Sequence, residues 1–74
     1  MDDHKEAEAI EELSRAVEFK PDLQLLNLRA AFYHSIDDFT SAIRDCEAAL
    51  CLDPGHAETL EIYNNAQEKI KKQK

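Results

Sequence analysis

The chain has 74 residues and carries 16 Asp and Glu against nine Lys and Arg, a net charge of −7. That acidic balance excludes broad nucleic-acid binding, which needs cations to neutralise phosphates, and argues against an anionic membrane surface. A chain this short forms one domain and buries about two-thirds or less of its unfolded surface, so its stability is marginal without help.

Only one Gly and two Pro occur, Ala, Leu, Glu and Lys dominate, and no alternating β-branched run suggests a strand. An all-α fold is therefore expected. No apolar run approaches ~20 residues, so no segment reads as a membrane span. The opening Met1-Asp2-Asp3-His4 is acidic, unlike the basic-then-apolar order of a secretory signal, and an intracellular, cytoplasmic location is expected. Cys46 and Cys51 lie five apart on one predicted helix and point to different faces, so two reduced thiols are expected, Cys46 in the core and Cys51 at the surface.

The first predicted helix runs from His4 to Phe19. Ala9, Ile10, Leu13, Ala16 and Val17 form its apolar stripe, with Glu6, Glu8, Glu11 and Glu12 toward water. Glu11 and Arg15 make an i,i+4 pair. Lys20-Pro21-Asp22 ends the helix, because the residue before a proline avoids the helical conformation, and Asp22 is placed to cap the second helix. That helix, Leu23 to Ser35, is apolar on more than one face, which predicts cover on more than one side. Ile36-Asp37-Asp38 is the turn, with either aspartate capping the third helix. The third helix runs to Leu52, with Phe39, Ala42, Ile43, Cys46, Ala49 and Leu50 as its stripe. Asp53-Pro54-Gly55 breaks it. The last helix spans His56 to Lys72, with Leu60, Ile62, Tyr63, Ala66 and Ile70 apolar. Lys69, Lys71, Lys72 and Lys74 gather at its end, where they offset the negative helix terminus.

The chain repeats itself. Ala9-Ile10, Ala16 and Pro21 recur as Ala42-Ile43, Ala49 and Pro54 at an offset of 33, and Leu26 recurs as Leu60 at 34. Leu26, Arg29, Ala30 and Tyr33 fall on the W-x-x-L-G-x-x-Y spacing, Ala42 and Cys46 on A-x-x-x-F, and Pro54 closes the unit. The chain resembles a tetratricopeptide repeat (TPR) array. On that resemblance residues 1–21 are the second helix of one repeat, 22–55 a complete repeat, and 56–74 the first or capping helix of a further one. Asp37 stands where the pattern usually has Gly. Small residues at Ala30, Ala42 and Ala49 let helices touch, and such repeats cover one another's apolar faces. The chain is thus expected to be a fragment of a longer array or a homo-oligomer joined through its open repeat ends.

The resemblance implies a non-enzymatic protein–protein interaction module, a scaffold or adaptor whose groove receives a peptide or partner helix. The expected groove positions are Gln24, Asn27, Leu28, Ala31, His34 and Ser35 on the second helix, and Glu58, Glu61, Ile62 and Asn65 on the last. Asn27, His34 and Asn65 are the expected hydrogen-bond partners of a bound backbone. A co-chaperone role, clamping the terminal carboxylate of heat-shock chaperones, is disfavoured. Leu28, Glu58 and Ile62 stand where that branch has Asn, Lys and Arg, and carboxylate sites need cations. No enzyme and no cofactor are expected. His34 with Asp37, Asp38 or Cys46 lacks an oxyanion-forming turn or enclosed pocket, and His4 with Glu8 makes two metal ligands without a third.

Overall fold

The computed structural model describes residues 4–72. Four helices follow one another: α1 (His4–Phe19), α2 (Leu23–Ser35), α3 (Phe39–Leu52) and α4 (Ala57–Lys72), with no strand among the described residues. The boundaries match those expected from the sequence except that His56 stands just before α4. Short links make each consecutive pair an antiparallel hairpin. α2 packs on α1, α3 and α4, α4 also packs on α3, and α1 packs on α2 alone. The dimensions are 36 × 35 × 15 Å. Since one helix with side chains is about 10–12 Å across, this is a layer one to two helices thick.

Small side chains set the spacing. Ala30, Ala42, Cys46, Ala49 and Ala66 are fully buried, and Leu26, Phe39 and Ile10 nearly so. Phe39, Ala42 and Ala66 form the core against which Tyr33, Ile43 and Ile70 pack. Cys46 is buried and Cys51 exposed, both as free thiols, as expected. Burial holds the Cys46 thiol protonated, pushing its pKa up to about 11, with the charges of Asp45 and Glu47 adding to the effect.

The α2–α3 turn shows why an aspartate can stand in for glycine. Asp37 has φ 64. Its N–H donates to the His34 carbonyl at 3.1 Å, and the Asp38 N–H donates to the Tyr33 carbonyl at 2.9 Å. This is the paired closure of a Schellman motif, in which the αL residue reverses the chain while covering the last free carbonyls. Asp38 supplies the cap of α3, its Oδ1 accepting from the Ser41 N–H at 3.4 Å. Asp22 behaves differently from expectation. It holds the extended backbone of an N-cap, φ −137 and ψ 142, yet its carboxylate accepts no capping bond. The residue is exposed, so water solvates both the carboxylate and the free N–H groups and a direct bond gains little.

On α4 the buried residues are Thr59 and Ala66, whereas Leu60 is 36% exposed. Its repeat counterpart Leu26 is 4% exposed. The difference comes from neighbours: α2 has α3 beside it, whereas among the described residues no helix comes after α4.

Candidate functional site

The α2–α4 seam brings the two predicted groove walls together. Gln24, Asn27, Leu28 and Ala31 share one face of α2, and Glu58, Glu61, Ile62 and Asn65 share one face of α4, each set at i, i+3, i+4, i+7 spacing. Asn27 joins them. Its Nδ2 donates to Glu58 Oε1 at 3.3 Å, and its Oδ1 accepts from the Thr59 hydroxyl at 3.0 Å. Thr59 is fully buried, and its Oγ1 also lies 2.8 Å from His56 Nδ1. His56 Nδ1 also accepts from the Thr59 backbone N–H at 3.3 Å, so the ring caps the start of α4. Across the seam the side-chain donors run from Thr59 to Asn27 to Glu58.

The expected site residues fall into two groups. Gln24, Glu58, Glu61 and Asn65 are exposed, Leu28 is 47% exposed, and Ala31 and Ile62 are half-buried on the same two faces. Asn27 is already committed to the seam, so its amide positions α4 instead of waiting for a peptide backbone. His34 is half-buried, with its ring edge-on to Phe39 at 5.2 Å and its Nε2 enclosed without a protein partner. Ser35 turns to α1, its hydroxyl donating to Glu6 Oε2 at 2.9 Å.

A second polar cluster was not anticipated. The Arg29 guanidinium donates from Nε and Nη2 to the two carboxylate oxygens of Asp45, both at 2.7 Å, and from Nη1 to Ser14 Oγ at 2.9 Å. Its Cζ lies 5.9 Å from the Tyr33 ring centroid. One side chain of α2 thus ties α1 to α3. The bond to Asp45 raises the Arg29 pKa against the opposing effect of desolvation, so the charge is permanent. The signal lay in the sequence: Asp45 sits three residues after Ala42 and four before Ala49, inside the apolar stripe of α3, where an acid needs a buried partner. A cleft of about 330 Å³ beside the pair is lined by Arg29, Tyr33, Ser41, Arg44 and Asp45. Among the described residues no group of His, Cys, Asp or Glu is placed to hold a metal; the side chain of His4, half of the His4–Glu8 pair, lies outside them. No helix among them is long and apolar enough to cross a membrane.

Consecutive helical hairpins locked by buried polar pairs, with an open acidic face between α2 and α4, define an all-α helical-hairpin domain. The family profile described as the ETO1 C-terminal domain matches residues 1–71, and the chain belongs to that family. Relatives in Arabidopsis thaliana include Ethylene-overproduction protein 1, 74% identical over 92% of this chain, and ETO1-like protein 2, 54% identical over 92%. ETO1-like protein 1 is 62% identical over 86% of the chain. The chain spans 7% of the length of each of these relatives. No solved structure matches it.

Proposed function

We propose that this chain is a TPR-like protein-interaction module that presents the α2–α4 face to a peptide or partner helix and works by binding, with no chemistry of its own. In this reading α1 is the second helix of one repeat (residues 1–21), α2 and α3 are a complete repeat (22–55), and α4 opens a further one (56–74). The observation that carries it is the Asn27–Thr59–Glu58 seam. It holds two first-type helices side by side and leaves Gln24, Leu28, Glu61 and Asn65 open along the join. Preorganisation of this kind lowers the ordering entropy of binding. Glu58 and Glu61 make the α4 wall acidic, which suits a basic or neutral partner and repels an acidic tail. The ETO1-family relatives are far longer than the segment they share with this chain, so the module acts as one docking segment of a larger assembly. The partner to seek first is connected with ethylene overproduction, the trait in the name of the 74% identical relative.

The test is a fluorescence-anisotropy titration with matched lysine/arginine-rich and glutamate/aspartate-rich helical peptides. Cationic peptides are expected to bind, to weaken as salt is added, and to be lost with Glu61→Lys or Leu28→Arg while far-UV circular dichroism is unchanged. Asn27→Arg is a poor probe because it breaks the seam itself. Equal binding of both peptide classes, or binding untouched by both variants, overturns the reading.

A further inference from the structure

The cleft beside the Arg29–Asp45 pair has both walls within the α2–α3 hairpin: Arg29 and Tyr33 on one, Ser41, Arg44 and Asp45 on the other. At ~100° per residue, Arg29 and Tyr33 lie on the side of α2 opposite Gln24, Asn27, Leu28 and Ala31, so the cleft is separate from the groove. Its open groups are hydrogen-bond donors. Of the five N–H groups of Arg29, three are spent on Asp45 and Ser14, and both Asp45 oxygens are taken by Arg29. Among the described residues the Arg44 guanidinium and the hydroxyls of Tyr33 and Ser41 make no hydrogen bond or ion pair. Residues 22–55 contain two Lys or Arg, Arg29 and Arg44, and both line this cleft. Asp45 balances Arg29, which leaves the charge of Arg44 unspent. Of the other acids, Asp38 is engaged by the Ser41 N–H, and Glu18, whose charge also reaches Arg29, sits at the α1–α2 link, away from Tyr33 and Ser41. The repeat itself does not require this donor set. At the offset of 33, the counterparts of Ser41, Arg44 and Asp45 are Glu8, Glu11 and Glu12.

We infer that this cleft receives a phosphoryl group carried on a side chain of a partner protein. A carboxylate is planar and is satisfied by one guanidinium fork. Here the donors come from both helices, and a phosphoryl group presents three terminal oxygens to meet them. Arg44 supplies the fork, and the Tyr33 and Ser41 hydroxyls with the two remaining Arg29 N–H groups supply the rest. Ser41 stands in the first turn of α3, where the positive end of the helix dipole adds attraction. The net charge of −7 excludes a nucleic acid as the source of the phosphate. A cleft of about 330 Å³ is of small-molecule size and has room for the side chain as well as its phosphate. One unspent cation facing a dianion makes the affinity modest. The inference is independent of the groove reading, because the two sites use opposite faces of α2.

The test is an amide NMR titration of the 74-residue chain. The probes are short, otherwise neutral peptides holding phosphoserine or phosphotyrosine, the same peptides unphosphorylated or with glutamate in that place, and inorganic phosphate. At least one phosphopeptide is expected to saturate by millimolar concentration and to shift amides around Tyr33, Ser41 and Arg44 while those of Gln24 and Glu61 stay in place. Arg44→Gln, at an exposed site where unfolding is no concern, should weaken binding about tenfold, the worth of one charge-assisted contact. Tyr33→Phe and Ser41→Ala should each weaken it several-fold with the thermal melt unchanged. Absence of saturation overturns the inference, as do shifts confined to the lysines at the end of α4 or binding that Arg44→Gln leaves unchanged. A glutamate peptide that binds as tightly as the phosphopeptides refutes the phosphoryl group, and inorganic phosphate that does so refutes the partner side chain. Failure here is separable from failure of the groove reading, because cationic-peptide binding and its loss in Glu61→Lys are read at the other face and should survive Arg44→Gln.

Discussion

Removing the carboxylate of Asp45 is the sharpest perturbation of this fold. Asp45 and Arg29 have side-chain exposures of 8% and 18%, and both bonds between them are 2.7 Å. Deleting one member of a buried pair costs about 3–5 kcal/mol, because the remaining charge loses its partner without regaining water. Arg29 keeps Ser14, the Tyr33 ring and a little solvent, which lowers the expectation for Asp45→Ala to about 2–3 kcal/mol. At ~0.05–0.15 kcal/mol per residue a domain of this size has only about 4–11 kcal/mol in total, so the loss is a large share of it. The melting temperature should fall by about 8–24 °C. Urea melts followed by circular dichroism read the loss, and a double-mutant cycle with Arg29→Met isolates the pair, with an expected coupling of about 2 kcal/mol. A loss below about 0.5 kcal/mol for Asp45→Ala, the level of an exposed pair, would refute the claim that this bond anchors α2 to α3.

Three further predictions concern single positions. Asp37→Gly should raise stability by about 0.5 kcal/mol, since glycine adopts φ 64 without strain but adds freedom to the unfolded chain, and Asp37→Val should lower it by more than about 1 kcal/mol; equal melts for both would deny the turn geometry. Thr59→Val should cost about 1–3 kcal/mol by leaving Asn27 Oδ1 without its donor, and protection of α4 amides in hydrogen exchange should drop more than that of α1. Cys46 predicts a pH dependence: its folded pKa of about 11 lies above the ordinary 9.0, so the neutral thiol favours the fold. The stability it contributes is complete below pH 9 and is lost as pH rises through 9 to about 11, by up to about 2–3 kcal/mol. The slope of stability against pH in that window should flatten in Cys46→Ala. At neutral pH a thiol reagent should modify Cys51 alone until denaturant is added.

The secondary structure was legible because local physics decides it. Proline at positions 21 and 54 interrupts helical stripes and Asp38 offers a cap, each signal lying within a few residues of the break it marks, while the αL reversal at Asp37 was implied by the repeat resemblance. The four helices and the burial of Ala42, Cys46 and Ala49 were legible from spacing, and that of Ala30 from the repeat resemblance. The capping bond of Asp22 did not. An N-cap backbone leaves the side chain free to choose between the helix and water, and at an exposed site sequence cannot say which.

What the sequence by itself determined is the period: which residues repeat, where helices start and stop, and which stripe of each faces a neighbour. What only the tertiary structure decided is who meets whom. Arg29 and Asp45 are 16 residues apart and Arg29 and Ser14 are 15, and nothing local distinguishes a solvated arginine from one that bridges three helices. Asn27 had the look of an open groove residue until α4 brought Thr59 and Glu58 against it from 32 and 31 residues away. Leu60 carries the same side chain as Leu26, yet one is exposed and the other buried. Hydrophobicity sets the tendency to be covered, but cover itself depends on whether a second helix stands there, and that is a property of the assembled chain.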